Sequence, residues 1–122
     1  MDPYLIAEIG CNHRGDLDTA LEMIRTAAEF CKVPAVKFQK RAVREVLSDA
    51  EYRQPHPDPR NSYGDTYGEH REFLEFTADQ HRELQACCAQ CGVDYSVSVW
   101  DMTSTSNYLS QAKNASCHKG TH

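Results

Sequence analysis

An apolar run at residues 4–9, broken only by Glu8, is followed by Gly10, Gly15 and then an amphipathic stretch. That order predicts a buried strand turning into a helix, a βα unit. Over residues 17–31, Leu17, Ala20, Leu21, Ile24, Ala28 and Cys31 form one stripe at helical spacing. Asp16 is the expected N-cap, and Asp18 places negative charge at the positive end of the helix dipole. After Pro34, Ala35-Val-Lys-Phe-Gln39 reads as a second strand running into Lys40 and Arg41. Strand, helix and strand in so few residues imply a crossover and a parallel pair.

Between residues 42 and 75 the pattern fails. Residues 43–52 have room for a short helix, whereas Pro55, Pro57 and Pro59 exclude both helix and interior strand. The stretch reads as a long insertion after the second strand, and long ordered loops there commonly carry function. Regularity returns at Phe76. Thr77 and Gln80 make a capping-box pattern, Leu84, Cys87, Cys88 and Cys91 share a helix face, and Gly92 suits its end. Residues 93–100 read as a third strand with Ser96 and Ser98 on one face. Beyond Asp101 the signal decays, and residues 107–122 are expected to be an aberrant or disordered tail. The pattern therefore predicts three βα units of an α/β protein, an open and incomplete parallel sheet.

With 122 residues, 40% hydrophobic and 25% charged, the chain is one ordinary domain. A net charge of −5 argues against a general nucleic-acid binder. No apolar run reaches membrane-spanning length and the N-terminus lacks a basic leader, so a cytoplasmic protein is expected. Without a secretory signal, most of the six cysteines read as small buried hydrophobes rather than a disulfide framework. Cys88-Ala-Gln-Cys91, with Cys117-His118 further on, leaves a zinc or redox module as a rival reading. This CxxC ends its helix, however, where the dipole disfavours a thiolate. His56, His70 and His81 lack ligand spacing and are expected to be solvated or capping groups.

Candidate chemistry gathers at the strand ends. A carboxylate such as Glu8 near the end of a buried strand needs a cation or a polar cavity. Lys37 and Gln39 point the same way by the two-residue period. A lysine inside an apolar strand implies a fixed anionic ligand, or else a Glu8–Lys37 ion pair between neighbouring strands, and spacing leaves both open. Asn12 and His13 are binding groups or turn residues, and turn residues are the simpler reading.

Tyr4-Leu-Ile-Ala-Glu-Ile-Gly-Cys-Asn-His-Arg-Gly-Asp16 resembles the opening of sialic acid synthases. Ala35-Val-Lys-Phe-Gln-Lys40, Tyr63-Gly-Asp-Thr-Tyr-Gly-Glu-His-Arg-Glu-Phe-Leu-Glu-Phe76 and Tyr95-Ser-Val-Ser-Val-Trp-Asp101 are similar to that family's next blocks. The resemblance covers roughly residues 3–105, and several spaced blocks in order are more specific than any single motif. It implies that residues 1–106, with the insertion at 42–75, are the first three units of a (β/α)8 TIM barrel, here truncated. It also implies condensation of phosphoenolpyruvate with an N-acylated aminosugar, N-acetylmannosamine or its 6-phosphate, to give a 2-keto sugar acid and phosphate. Synthases for pseudaminic or legionaminic acid, with the same mechanism, are the alternative.

Position by position, the resemblance makes Lys37 the grip on the phosphoenolpyruvate anion and Ser98 a hydroxyl on its phosphate. Glu8 becomes a catalytic acid facing the reacting centre, with Gln39 and Asn12 as further substrate-binding groups. A divalent Mn²⁺ or Mg²⁺ is implied, with ligands on later strands and none in this chain, so the chain alone is expected to be inactive. Full-length relatives are expected to be homodimers. Lys113-Asn-Ala-Ser-Cys-His-Lys119 does not reproduce the family's fourth strand.

Overall fold

The computed structural model describes the backbone of residues 2–119 and the side chains of residues 2–112. Strand β1 (Ile6–Gly10) leads through a turn into helix α1 (Leu17–Arg25), which continues as one π-helical segment over Thr26–Phe30. Asp16 caps α1 by accepting from the Thr19 N–H, as its position predicts. Strand β2 (Ala35–Lys40) follows. The insertion then folds as α2 (Val43–Val46), α3 (Asp49–Arg53), a 3₁₀ turn over Pro59–Asn61, and α4 (Tyr67–Leu74). Helix α5 (Ala78–Cys91), strand β3 (Asp94–Val99) and helix α6 (Met102–Lys119) complete the chain. Thr77 and Gln80 form the expected capping box, and Gly92 ends α5 at φ 73°, the left-handed region where glycine is at home.

The three strands make one parallel sheet in the order β1-β2-β3. Val36 and Phe38 on β2 point to the helices, where they join Ile24 of α1 and Leu84 and Cys88 of α5 in the core. The opposite face carries Lys37 and Gln39. In register, Glu8 lies beside Lys37, Lys37 beside Ser96, and Gln39 beside Ser98.

Three expectations change. Residues 42–75 are helical in large part, because α4 is held by aromatic contacts rather than an apolar stripe: Tyr63 stacks on Phe73 at 4.5 Å and His70 on Tyr63 at 5.7 Å. The boundary placed at 106/107 falls inside α6, which runs through Lys119. That helix is anchored at its start by Asp101, whose carboxylate accepts from the N–H and hydroxyl of Ser104. Nor are all the histidines solvated. His81 is fully buried, its Nδ1 2.8 Å from the Tyr95 hydroxyl, and His70 is also buried. Among the described residues no helix is long and apolar enough to cross a membrane.

Candidate functional site

At the C-terminal end of the sheet, Gly10 breaks the β1 ladder at φ 56°, and the chain turns through residues 11–15. A β-carbon at Gly10 would lie 3.1 Å from Glu8 Oε1 and 3.6 Å from the Gln39 amide nitrogen. The missing side chain thus lets Glu8 and Gln39 share one space.

Below that space Lys37 Nζ meets Glu8 Oε2 at 3.1 Å, with side chains 39% and 46% exposed. The expectation that Glu8 sits on an interior strand does not hold in this sheet. β1 has β2 as its one neighbour among the described residues, and the carboxylate is open to water. An ion pair this exposed contributes little to stability, about 0–1 kcal/mol. An incoming anion can therefore compete for Lys37 at small cost. Ser98 is half-buried beside Gln39 on the same face. Four of the five expected site residues (Glu8, Lys37, Gln39 and Ser98) are thereby brought together. The fifth, Asn12, is an exposed residue of the β1–α1 turn whose N–H donates to the Ile9 carbonyl.

Five further residues gather at the rim beyond Gln39. The Cys11 thiol donates to Gln39 Oε1 at 3.5 Å. Two guanidinium groups reach the Cys11 sulfur, Arg41 at 3.9 Å and Arg71 of α4 at 3.6 Å. Arg41 also lies 4.3 Å over the Trp100 ring and 3.7 Å from Glu75, whose carboxylate accepts from the Arg41 N–H at 2.9 Å. Burial raises the Glu75 pKa, an effect opposed by the Arg41 N–H and the nearby cations. The two-residue period that pairs Lys37 with Gln39 extends to Arg41, so that residue was within reach of the pattern. Arg71 was not, since its helix lies in the stretch where no period shows.

His13 forms the floor beneath the turn. It is buried, stacks on Phe76 at 4.1 Å, and accepts the Gly15 N–H at Nδ1. Burial lowers its pKa to about 4. Lys40 points to the other face, buried, with its ammonium 3.4 Å from the Phe76 carbonyl oxygen. His13 and Lys40 therefore shape the site from behind.

The cysteine module finds no support among the described side chains. Cys88 is buried in the core, and burial pushes its thiol up to about 12. No three His, Cys, Asp or Glu side chains among the described residues are grouped to hold a metal ion. The side chains of Cys117 and His118 lie outside the described residues.

The chain is similar to known proteins over most of its length. The profile of the NeuB family matches residues 23–119. The mouse N-acetylneuraminate-9-phosphate synthase is 42% identical over 98 residues, 80% of this chain and 27% of its own length. The N,N'-diacetyllegionaminic acid synthase of Legionella pneumophila is 32% identical over 105 residues, 83% of this chain and 28% of its own. The crystal structure of an N-acetylneuraminic acid synthetase from Leptospira borgpetersenii superposes with a TM-score of 0.68 and 25% identity. That match covers 90% of this chain and 34% of the other. The chain thus spans about a quarter of the length of the curated relatives it matches. A parallel α/β sheet with these strand-end blocks and this profile match places the chain in the NeuB family of sialic acid synthases.

Proposed function

We propose that this chain supplies the phosphoenolpyruvate-binding portion of a synthase that joins phosphoenolpyruvate to an N-acylated aminosugar. Its three βα units would be the first three of a (β/α)8 barrel. The observation that carries this reading is the exposed Lys37–Glu8 pair on the same sheet face as Gln39 and Ser98. A cation held by a weak partner at the C-terminal edge of a parallel sheet is an anion site in waiting.

In this reading the phosphoenolpyruvate anion displaces Glu8 from Lys37, and the Ser98 hydroxyl donates to a phosphate oxygen. Gln39 fixes the orientation of the bound substrates from the neighbouring position. Glu8, released from its ion pair, faces the reacting centre as the group that handles a proton. C3 of phosphoenolpyruvate forms the new bond to the aldehyde carbon of the sugar, whose oxygen takes up a proton. Water adds at C2, and breaking of the C2–O bond releases inorganic phosphate and leaves the 2-keto acid. The described residues offer no fit for a divalent cation, so no step is routed through one. The Mn²⁺ or Mg²⁺ expected for the whole enzyme would draw its ligands from elsewhere.

The test is titration of the chain with phosphoenolpyruvate, followed by amide chemical shifts. Shifts centred on β1, β2 and β3, lost in Lys37→Ala, are expected. An unchanged affinity in Lys37→Ala would sink the assignment. Mixed with phosphoenolpyruvate, acceptor and Mn²⁺, the chain by itself is expected to release no phosphate.

The acceptor has two readings. The higher identity to the 9-phosphate synthase favours a phosphorylated aminosugar over the precursor of legionaminic acid.

A further inference from the structure

We infer that Arg41 and Arg71 form a seat for the distal phosphate of a phosphorylated aminosugar, one level above the phosphoenolpyruvate site. The inference rests on the function proposed above and adds the residues that recognise the acceptor's phosphate. Three observations converge on it.

The first is geometric. The two guanidinium groups come from different elements, one after β2 and one on α4, yet both end within 4 Å of the same sulfur, at 3.9 and 3.6 Å. The two nitrogens are therefore close enough for one tetrahedral phosphate to bridge them. Planar guanidinium forks suit phosphate oxygens better than a point charge does.

The second is charge. Arg41 has Glu75 as a partner, but among the described residues no carboxylate lies within ion-pair distance of Arg71. Glu75 feels the charge of both arginines, so two cations share one carboxylate and the rim keeps an excess of positive charge. Both guanidiniums reach the weakly polar Cys11 thiol, a poor partner for either.

The third is position. Lys37, Gln39 and Arg41 rise along the same face of β2 and its extension, and Ser96, Ser98 and Trp100 rise beside them. Four residues of strand separate Lys37 from Arg41, about 13 Å of backbone. That span is of the order of an extended aminosugar with phosphate at its far end. Its aldehyde would then lie near the Lys37 level.

The experiment reads alkylation of Cys11, since a phosphate seated between the arginines covers its sulfur. The unmodified chain is treated with iodoacetamide with or without N-acetylmannosamine 6-phosphate, and modification is mapped by peptide mass spectrometry. Cys31, exposed beyond α1, is the internal control. The phosphorylated sugar is expected to slow alkylation of Cys11 and not of Cys31, while N-acetylmannosamine at equal concentration slows neither. Arg71→Ala is expected to weaken binding of the phosphorylated sugar about tenfold and to leave phosphoenolpyruvate binding unchanged. Equal protection by both sugars, or none by either, would overturn the seat even where phosphoenolpyruvate still binds through Lys37. Protection by the phosphorylated sugar alone, with no phosphoenolpyruvate binding, would uphold the seat and count against the proposed function instead.

Discussion

His81 and His13 are the two residues at which burial and charge are most at odds. His81 is held neutral, its pKa lowered to about 3 first by burial and then by the charges of Lys40 and His13. His13 is lowered to about 4, mainly by burial. Both lie below the ordinary histidine value of about 6.5 that the unfolded chain keeps. The unfolded state therefore binds more protons, and the stabilisation present above about pH 6.5 is lost as pH falls toward 3 to 4. Each fully coupled proton costs about 1.4 kcal/mol per pH unit. Glu75 has the opposite sign. Its raised pKa makes the folded state bind the extra proton above the usual carboxylate range, which offsets part of the loss near its lower end. We expect urea midpoints to fall steadily from pH 7 to pH 5, and His13→Phe to flatten that slope. A midpoint independent of pH over this range would show that both rings stay accessible to protons. The sequence named His13 as a turn residue, and it is one. That the same ring also fills the core against Phe76 depends on a residue sixty-odd positions away, which no local pattern reports.

Among the elements, the turns divide by what surrounds them. Gly15 and Gly92 share nearly the same backbone geometry, φ 74° and 73°. A β-carbon at Gly92 meets nothing within 4 Å, whereas at Gly15 it would strike the Phe73 carbonyl oxygen. Gly92→Ala should therefore cost only the left-handed conformation, about 1 kcal/mol. Gly15→Ala should cost that plus a backbone clash, about 3 kcal/mol in all, because the first turn is wedged against α4. Denaturation midpoints of the two variants compare these costs, and equal losses would mean that α4 yields easily. Where apolar residues repeat, as in α1 and α5, the elements were legible to within a residue or two. α4 was hidden because Tyr67-Gly-Glu-His-Arg-Glu-Phe-Leu74 has no stripe. Its place is fixed by ring stacking and by contacts such as the Tyr52 hydroxyl on Glu72. Candidate site residues on strands were likewise legible by the two-residue period, and those delivered by α4 were not.

In the molecule as a whole, β2 is sheathed by two neighbours while among the described residues β1 and β3 each pair on one side. Leu5, just before β1, and Ile6, its first residue, are exposed. A parallel sheet normally hides edges of this kind, so this chain by itself is expected to associate through the outer edge of β1. Light scattering should show mass rising with concentration, and Ile6→Lys should reduce the rise; a monomer at all concentrations would show that the edge is protected. The parallel order itself was readable from the strand–helix–strand alternation. The same topology bears on how the chain assembles. Pairing β2 with β3 closes a loop about twice as long as pairing β1 with β2, because α2, α3, α4 and α5 intervene. In a flexible chain each doubling adds only about 0.6 kcal/mol of closure entropy. The β1–β2 pair is therefore the natural first contact. The segment that carries Arg71 can therefore differ in length at little closure cost to the sheet, so the arginine's reach over the strand ends is set by the packing of α4 and hardly by the length of chain that precedes it.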